Sequence, residues 1–405
     1  MDIEKNYFKN KKPEKLVLDK YRIYSILKLA AIGDTIGFYN GVYESNFGNW
    51  ENPKPKNNYD QWIDNNSVIT NQIMFDFIHL GSIRRFNCKN LLVSDDTILH
   101  MAIADALTSK YKNNDELVKN IAMTMNNYYK NDKKKDDRFY GNRTIKGLKR
   151  IEENYKKARK YEFSINAAGS GCSMRTMCIG MIFFGKKNRD KLIEISIESS
   201  RCTHNNPIAY LGGLVSALFV AYAIEGIDKF KWIFYLLDLL NSKNFDNILK
   251  KLIYKYHPSD EKELIKKIKY KKEFIEYWEN YKDWRFPNNK FLNTNELKHM
   301  IIPAVRIKEY FTRFAYDKNR FFPGSTGVDS VIIAYDCLLD CNSNFDKIIF
   351  YAILNSGDSD TIGSIACAWY AAINNFGNAS LNLAIGLEKD DEIIELTNKI
   401  SKIYT

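Results

Sequence analysis

A chain of 405 residues with 45% apolar and 14% aromatic content can bury a large core, which excludes an intrinsically disordered protein. Lys and Arg number 60 against 49 Asp and Glu, a formal charge of +11. These basic residues are scattered and interleaved with acids, so they read as a solubilising surface that favours a phosphate-bearing small molecule, and no aromatic-basic motif supports nucleic-acid binding.

Residues 1–20 form a Lys-rich lead-in without the apolar stretch of a signal peptide. A single domain is expected over 21–405. Helical apolar spacing from Tyr21 to Ile32 is expected to stop at Gly33-Asp34, where Gly37, Asn40 and Gly41 mark a turn-rich loop ending in Tyr43-Glu44. The Pro- and Asn-rich stretch from Glu51 to Asn66 reads as a loop. Ser94-Asp95-Asp96-Thr97 opens an apolar helix running to Ser109, and a second helix is expected from Asp115 to Tyr129. The charged run from Asn131 to Arg138 reads as exposed loop. Small residues from Asn166 to Ser173 precede an apolar helix from Met174 to Phe184, and a further helix spans Lys191 to Ser200.

Pro207 is well placed as the first residue of a long apolar helix to Ile224, which Gly212, Gly213 and Ser216 mark as buried in protein and not in a membrane. From Asp228 to Arg285 the chain is basic, aromatic and helical. Ser325-Thr-Gly327-Val-Asp329 caps a helix from Ser330 to Leu339, and the segment from Phe345 to Leu354 leads into Gly357-Asp358-Ser359-Asp360-Thr361 and the apolar run after it. A terminal amphipathic helix spans Asp390 to Tyr404. Strand signals are few, so the expected fold class is all-α. Seven cysteines without paired spacing read as reduced thiols in an intracellular, cytoplasmic setting, and Cys337 and Cys341 lack the companions that a zinc site needs.

Three motifs carry chemistry. Asp95 with Asp96, and Asp358 with Asp360, stand at two helix starts, where one carboxylate would be an ordinary cap. Adjacent carboxylates raise one another's pKa unless a cation lies between them, and two such pairs could bridge hard cations. Gly169-Ser170-Gly171-Cys-Ser173-Met174-Arg175 is a glycine-rich helix entry, suited either to tight packing or to close approach of backbone N–H groups to phosphate; it is neither a Walker loop nor GxGxxG. His204, between Thr203 and Asn205, reads as a hydrogen-bonding cap residue and not as a catalyst.

In chain order, Gly33-Asp-Thr-Ile-Gly37 with Tyr43-Glu44, Ser94-Asp-Asp-Thr97, Ala168 to Gly180, Thr203-His204 with Pro207, Gly324 to Asp329 and Gly357 to Gly363 resemble the ADP-ribosylglycohydrolase family. Phe38-Tyr-Asn-Gly41 and Ser173 to Gly180 are most similar to its ADP-ribosylarginine hydrolases. The resemblance implies a compact multi-helix orthogonal bundle that holds two Mg²⁺ ions, with Ser94, Asp95, Asp96, Asp358, Asp360 and Thr361 as ligands. It also implies substrate contacts from Gly169, Ser170, Gly171, Ser173, Met174, His204, Ser325 and Gly327, and catalytic roles for Asp95, Asp96 and Glu44. The implied partner is an arginine-linked ADP-ribosylated protein or ADP-ribose, bound by a monomer, with no nucleic acid or membrane. Two departures are visible: the loop from Gly37 to Glu44 is longer than the shortest family pattern, and Ser94 stands where many members have Thr. Alternatives are hydrolysis of another linkage, O-linked serine or poly(ADP-ribose), and a non-catalytic ADP-ribose-binding or structural member, against which the full set of acids weighs.

Overall fold

The computed structural model describes residues 18–44, 59–258, 260–286, 303–316 and 322–404. Most of the Lys-rich lead-in therefore lies outside the described residues, as does the loop expected over 51–58. Within the described residues the chain forms thirteen helices of nine residues or more, linked by shorter helical turns, and the single β-pairing is an isolated bridge between Gly169 and Thr326. The helices are α1 (Lys20–Phe38), α2 (Tyr59–His79), α3 (Asp95–Leu107), α4 (Asn114–Asn131), α5 (Asn142–Ala158), α6 (Arg189–Arg201), α7 (Pro207–Ile224), α8 (Trp232–Leu240), α9 (Lys243–Tyr256), α10 (Glu261–Arg285), α11 (Asp329–Asp340), α12 (Ser359–Asn374) and α13 (Asp390–Ser401). The all-α expectation holds.

Local chemistry sets many of the helix starts. The side chains of Asp19, Ser94, Asn113, Asn206, Ser242 and Asp260 each accept a backbone N–H from the first turn that follows. Pro207 occupies the first turn of α7, where its missing N–H costs nothing. All eighteen residues of α7 are buried. It is long and apolar enough to cross a membrane, yet its surface is taken up by α6, α10, α11 and α12. At its centre the Phe219 ring lies 5.0 Å from both Trp232 and Trp369, 5.2 Å from Tyr335 and 5.9 Å from Trp278. Buried among α10, α11 and the turn Pro303–Glu309, Arg285 and Arg306 both pair with Asp336 and Asp340, and the Tyr281 hydroxyl donates to Asp336 at 2.8 Å. Charges so placed are tolerated because each faces its opposite.

Four expectations are corrected. Helix α1 does not stop at Gly33 but runs on to Phe38, because Gly33 and Gly37 serve helix packing and not termination. A Cβ on Gly33 would lie 2.5 Å from the Gly363 carbonyl oxygen and 2.8 Å from Cys367 Sγ; one on Gly37 would lie 2.5 Å from the Ser359 carbonyl oxygen. Glycine there lets α1 and α12 make the most extensive helix–helix contact in the fold. Secondly, residues 59–66 are the start of α2 and not loop, since Ile63, Thr70, Ile73 and Phe77 are buried and this packing outweighs the poor helix propensity of the Asn residues. Thirdly, Ser170–Arg175 is a 3₁₀ segment and the apolar helix after it is short, Met177–Ile182.

Fourthly, the charged run at 131–138 is not all solvated. Arg138 is 1% exposed, pairs with Asp132 and Glu388, and donates to the Val93 carbonyl at 2.5 Å. Glu388 in turn accepts the Val93 N–H at 3.0 Å, so the pair clamps the extended segment that feeds α3. Burial alone would raise the Glu388 pKa, but hydrogen bonds and charge from Arg138, with the Val93 N–H, hold it down at about 2.

Two stability predictions follow from these contacts. Gly33→Ala should lower stability by about 1–3 kcal/mol, the usual cost of overpacking, read as a lower urea midpoint; an unchanged midpoint would mean that the α1–α12 crossing can widen freely. Because the Glu388 carboxylate is depressed from an ordinary value of 4.5, its contribution is complete above that value and fades as pH falls toward 2. With allowance for its partial exposure we expect Glu388→Gln to cost about 1–2 kcal/mol at pH 7. Thermal melts of the two proteins should converge as pH drops from 5 to about 2.5, and a gap that stays constant with pH would refute the assignment.

Candidate active site

The site is assembled on the N-termini of α3 and α12. Ser94 caps α3 by accepting the Asp96 N–H at 3.1 Å, which puts Asp95 and Asp96 in the first turn. Beneath them Asp34, in the interior of α1, accepts the N–H groups of Ser94 and Thr97 at 3.1 and 3.2 Å and the Thr97 hydroxyl. On α12, Asp358 is the cap residue and Asp360 lies in the first turn, while the Ser359 hydroxyl donates to the Gly37 carbonyl at 2.8 Å. One buried carboxylate of α1 and one seryl hydroxyl of α12 thus lock the two acid-bearing helix starts onto the same helix.

The glycine loop closes the other side. The Ser170 N–H donates to the Ser325 carbonyl at 3.0 Å and the Gly327 N–H to the Ala168 carbonyl at 2.9 Å, so residues 168–170 and 325–327 are zipped together. The Asp358 N–H bonds to the Pro323 carbonyl at 2.9 Å, and the Ser170 hydroxyl donates to Asp358 at 3.0 Å. Acidic helix start and glycine loop therefore share one cavity of about 330 Å³. Glu44, Asp95, Asp96, Asp358, Asp360 and Thr361 line one part of it; Gly169, Ser170, Gly171, Met174, His204 and Ser325 line another.

Five carboxylates around so small a space perturb one another. Burial, followed by the charge of Asp360, raises the pKa values of Glu44, Asp95 and Asp96 well above the usual range. Asp360 is raised by burial and by Asp358, while Asp358 reaches about 6, mainly through burial. Asp34, buried beside Asp360, is pushed up to about 7 despite its hydrogen bonds. One oxygen each from Glu44, Asp358 and Asp360 lies within 4.8 Å of the other two. Glu44 Oε2 and Asp96 Oδ2 are buried without a hydrogen-bond partner. Converging hard oxygens with unpartnered lone pairs fit a divalent cation of the Mg²⁺ or Ca²⁺ type. On the glycine-loop side His204 is held neutral by burial and by the charges of Arg175, Arg143 and Arg150, with Nδ1 2.8 Å from the Thr203 hydroxyl. A Cβ on Gly171 would lie 2.9 Å from the His204 ring, so only glycine lets the ring back the loop there.

Not every expected residue faces the cavity. Ser94 is fully buried and is not on the cavity wall, its hydroxyl accepting the Asp96 N–H at 3.1 Å. The Ser173 hydroxyl points to the Gly327 carbonyl at 3.4 Å, and Gly327 is pressed against the first turn of α7; both brace the loop from outside the wall. Conversely, sequence reasoning passed over Asp34, Phe139, Asn142, Arg143, Thr144 and Asn166. The signal for Asp34 was its place between Gly33 and Gly37, but the expected helix stop hid it. Phe139, Asn142, Arg143 and Thr144 had no motif and follow the buried Arg138 in the chain, whereas Asn166 opens the small-residue stretch but was given no role of its own.

Residues 18–404 match the sequence profile of the ADP-ribosylglycohydrolase family. ADP-ribosylhydrolase ARH1 of Dictyostelium discoideum is 30% identical over 381 residues, which span 89% of this chain and 88% of that protein. The protein L444 of Acanthamoeba polyphaga mimivirus, provisionally named an ADP-ribosyl glycohydrolase, is 34% identical over 381 residues, 94% of this chain and 68% of its own. A solved chain described as an ADP-ribosylglycohydrolase-related protein complex superposes with a TM-score of 0.53 over 95% of this chain and 99% of that one; at 13% identity this speaks to the fold alone. With six motifs in order, an all-α fold of the same kind and an acid-lined cavity at the junction of those motifs, the chain belongs to the ADP-ribosylglycohydrolase family.

Proposed function

We propose that this protein is a Mg²⁺-dependent hydrolase that cleaves the N-glycosidic bond between ribose C1″ and the guanidine nitrogen of ADP-ribosylated arginine, releasing ADP-ribose and restoring arginine. The observation that carries this reading is the convergence of Asp95, Asp96, Asp358 and Asp360 on the cavity that the glycine loop also lines. The arginine linkage rests on the likeness of Phe38 to Gly41 and of Ser173 to Gly180 to the arginine-cleaving branch, and on the similarity to ARH1.

Chemically, a bond to an anomeric carbon breaks through an oxocarbenium-like state, so positive charge on the sugar must be stabilised while water is delivered to C1″. Glu44, Asp95, Asp96, Asp358, Asp360 and Thr361 would hold two Mg²⁺ ions, which supply Lewis acidity for the ribose hydroxyls and for water. The carboxylates put negative potential beside the carbon that becomes cationic. Asp95 or Asp96 accepts the proton of the attacking water as its oxygen bonds to C1″, and the guanidine departs with the electron pair of the C–N bond and takes up a proton. Gly169 to Gly171 approach the diphosphate through their backbone, and the guanidinium of Arg143, which donates to Ser164 at 2.8 Å and Tyr161 at 3.2 Å, adds positive charge to the same wall. His204, neutral, orders the loop.

Asp95→Asn and Asp360→Asn should each lower turnover of ADP-ribosylarginine by about two orders of magnitude or more, with circular dichroism unchanged and a melting temperature no lower than that of the parent; near-normal release of ADP-ribose by either would refute the scheme. Exhaustive treatment with EDTA should abolish activity and added Mg²⁺ restore it, and a metal-stripped enzyme at full rate would remove the cations from the mechanism. Run on arginine-, serine- and poly-linked substrates side by side, the same assay decides the linkage; binding of ADP-ribose without turnover on any of them would favour a non-catalytic role.

A further inference from the structure

Among the described residues, Phe139 carries the one phenyl ring on the cavity wall. It is 48% exposed, and its backbone is left-handed at φ 54°, a conformation that bulky side chains avoid. The turn it covers is left-handed too: Tyr39, Asn40 and Gly41 have φ of 43°, 53° and 81°. Asn40 pins that turn by accepting the Leu92 N–H at 2.8 Å and donating to the Asn90 carbonyl at 3.3 Å. The Phe139 ring lies over Gly41, where a Cβ would come within 2.6 Å of its Cζ, and meets Phe38 edge-on at 5.4 Å. Strain of this kind, concentrated beside Glu44 and holding an apolar ring toward solvent, is the mark of a functional constraint.

The ring stands at the carboxylate end of the cavity. The carbonyl of its chain neighbour Arg138 accepts the Asp95 N–H at 3.3 Å, and the Gly141 N–H donates to Asp95 Oδ2 at 3.4 Å. If the ribose whose bond is cut sits among the carboxylates, its leaving group lies beside that end, whereas the adenine is separated from it by the diphosphate and a second ribose. A phenyl face that shares a cavity wall with carboxylates attracts a planar cation. We infer that Phe139 is the platform on which the departing guanidinium group stacks, and therefore a residue that selects arginine-linked over neutral, serine-linked substrates. This inference rests on the arginine-linkage reading above.

Phe139→Leu removes the π face and keeps an apolar side chain; Phe139→Tyr keeps the π face. With Mg²⁺-loaded enzyme, Phe139→Leu should lower kcat/KM for ADP-ribosylarginine about 5- to 30-fold, chiefly through KM, as expected for a lost desolvated cation–π contact. Phe139→Tyr should recover most of that loss. The Kd for ADP-ribose, measured by calorimetry, should shift less than about twofold in Phe139→Leu, because ADP-ribose lacks the guanidinium. Full arginine-linked activity in Phe139→Leu would overturn the inference, as would an equal loss of ADP-ribose affinity, which would place the adenine on the ring. A wild-type enzyme inactive on ADP-ribosylarginine would instead overturn the linkage reading and this inference with it, a result visible before any variant is made.

Discussion

The backbone-to-backbone crossing of α1 and α12 is the constraint on which the site depends. Gly33, Gly37 and Gly363 leave no side chain between the helices, and a Cβ on Gly363 would come within 2.9 Å of the Gly33 carbonyl oxygen. At that separation Asp34 of α1 can hold the first turn of α3 while Ser359 holds the first turn of α12. Two helix starts more than 250 residues apart in sequence thereby present their acids to one small volume. A side chain in the crossing would separate them, and electrostatics would assist the separation, because the acids repel.

Such repulsion is sustained by stability generated elsewhere. The fully buried α7, the aromatic cluster around Phe219 and the paired charges of Arg285, Arg306, Asp336 and Asp340 supply it away from the cavity. In the cavity itself the balance runs the other way: carboxylates with raised pKa values and unpartnered oxygens are groups whose environment is incomplete without bound positive charge. The glycine-loop side, with the neutral His204 near Arg175 and with Arg143 also lining the cavity, suits negative charge. A ligand with a polar sugar at one end and phosphate at the other matches this polarity along its length.

The sequence by itself determined most of the helices, since apolar spacing and capping side chains are local properties and Asn206-Pro207, Ser94 and Asn113 start their helices without help from the rest of the chain. It also picked out the acids and the glycine loop as motifs. Tertiary structure decided what those motifs do to one another. Gly33 looks like a stop signal until α12 lies against it; Arg138 looks solvent-exposed until Glu388 closes on it from 250 residues away; Ser94, Ser173 and Gly327 look like ligand contacts until their hydrogen bonds and packing turn them away from the cavity. Phe139 carried no signal at all. Its meaning lies in a left-handed turn, a neighbouring glycine and a nearby carboxylate, and these are relations between distant segments that no local pattern of residues encodes.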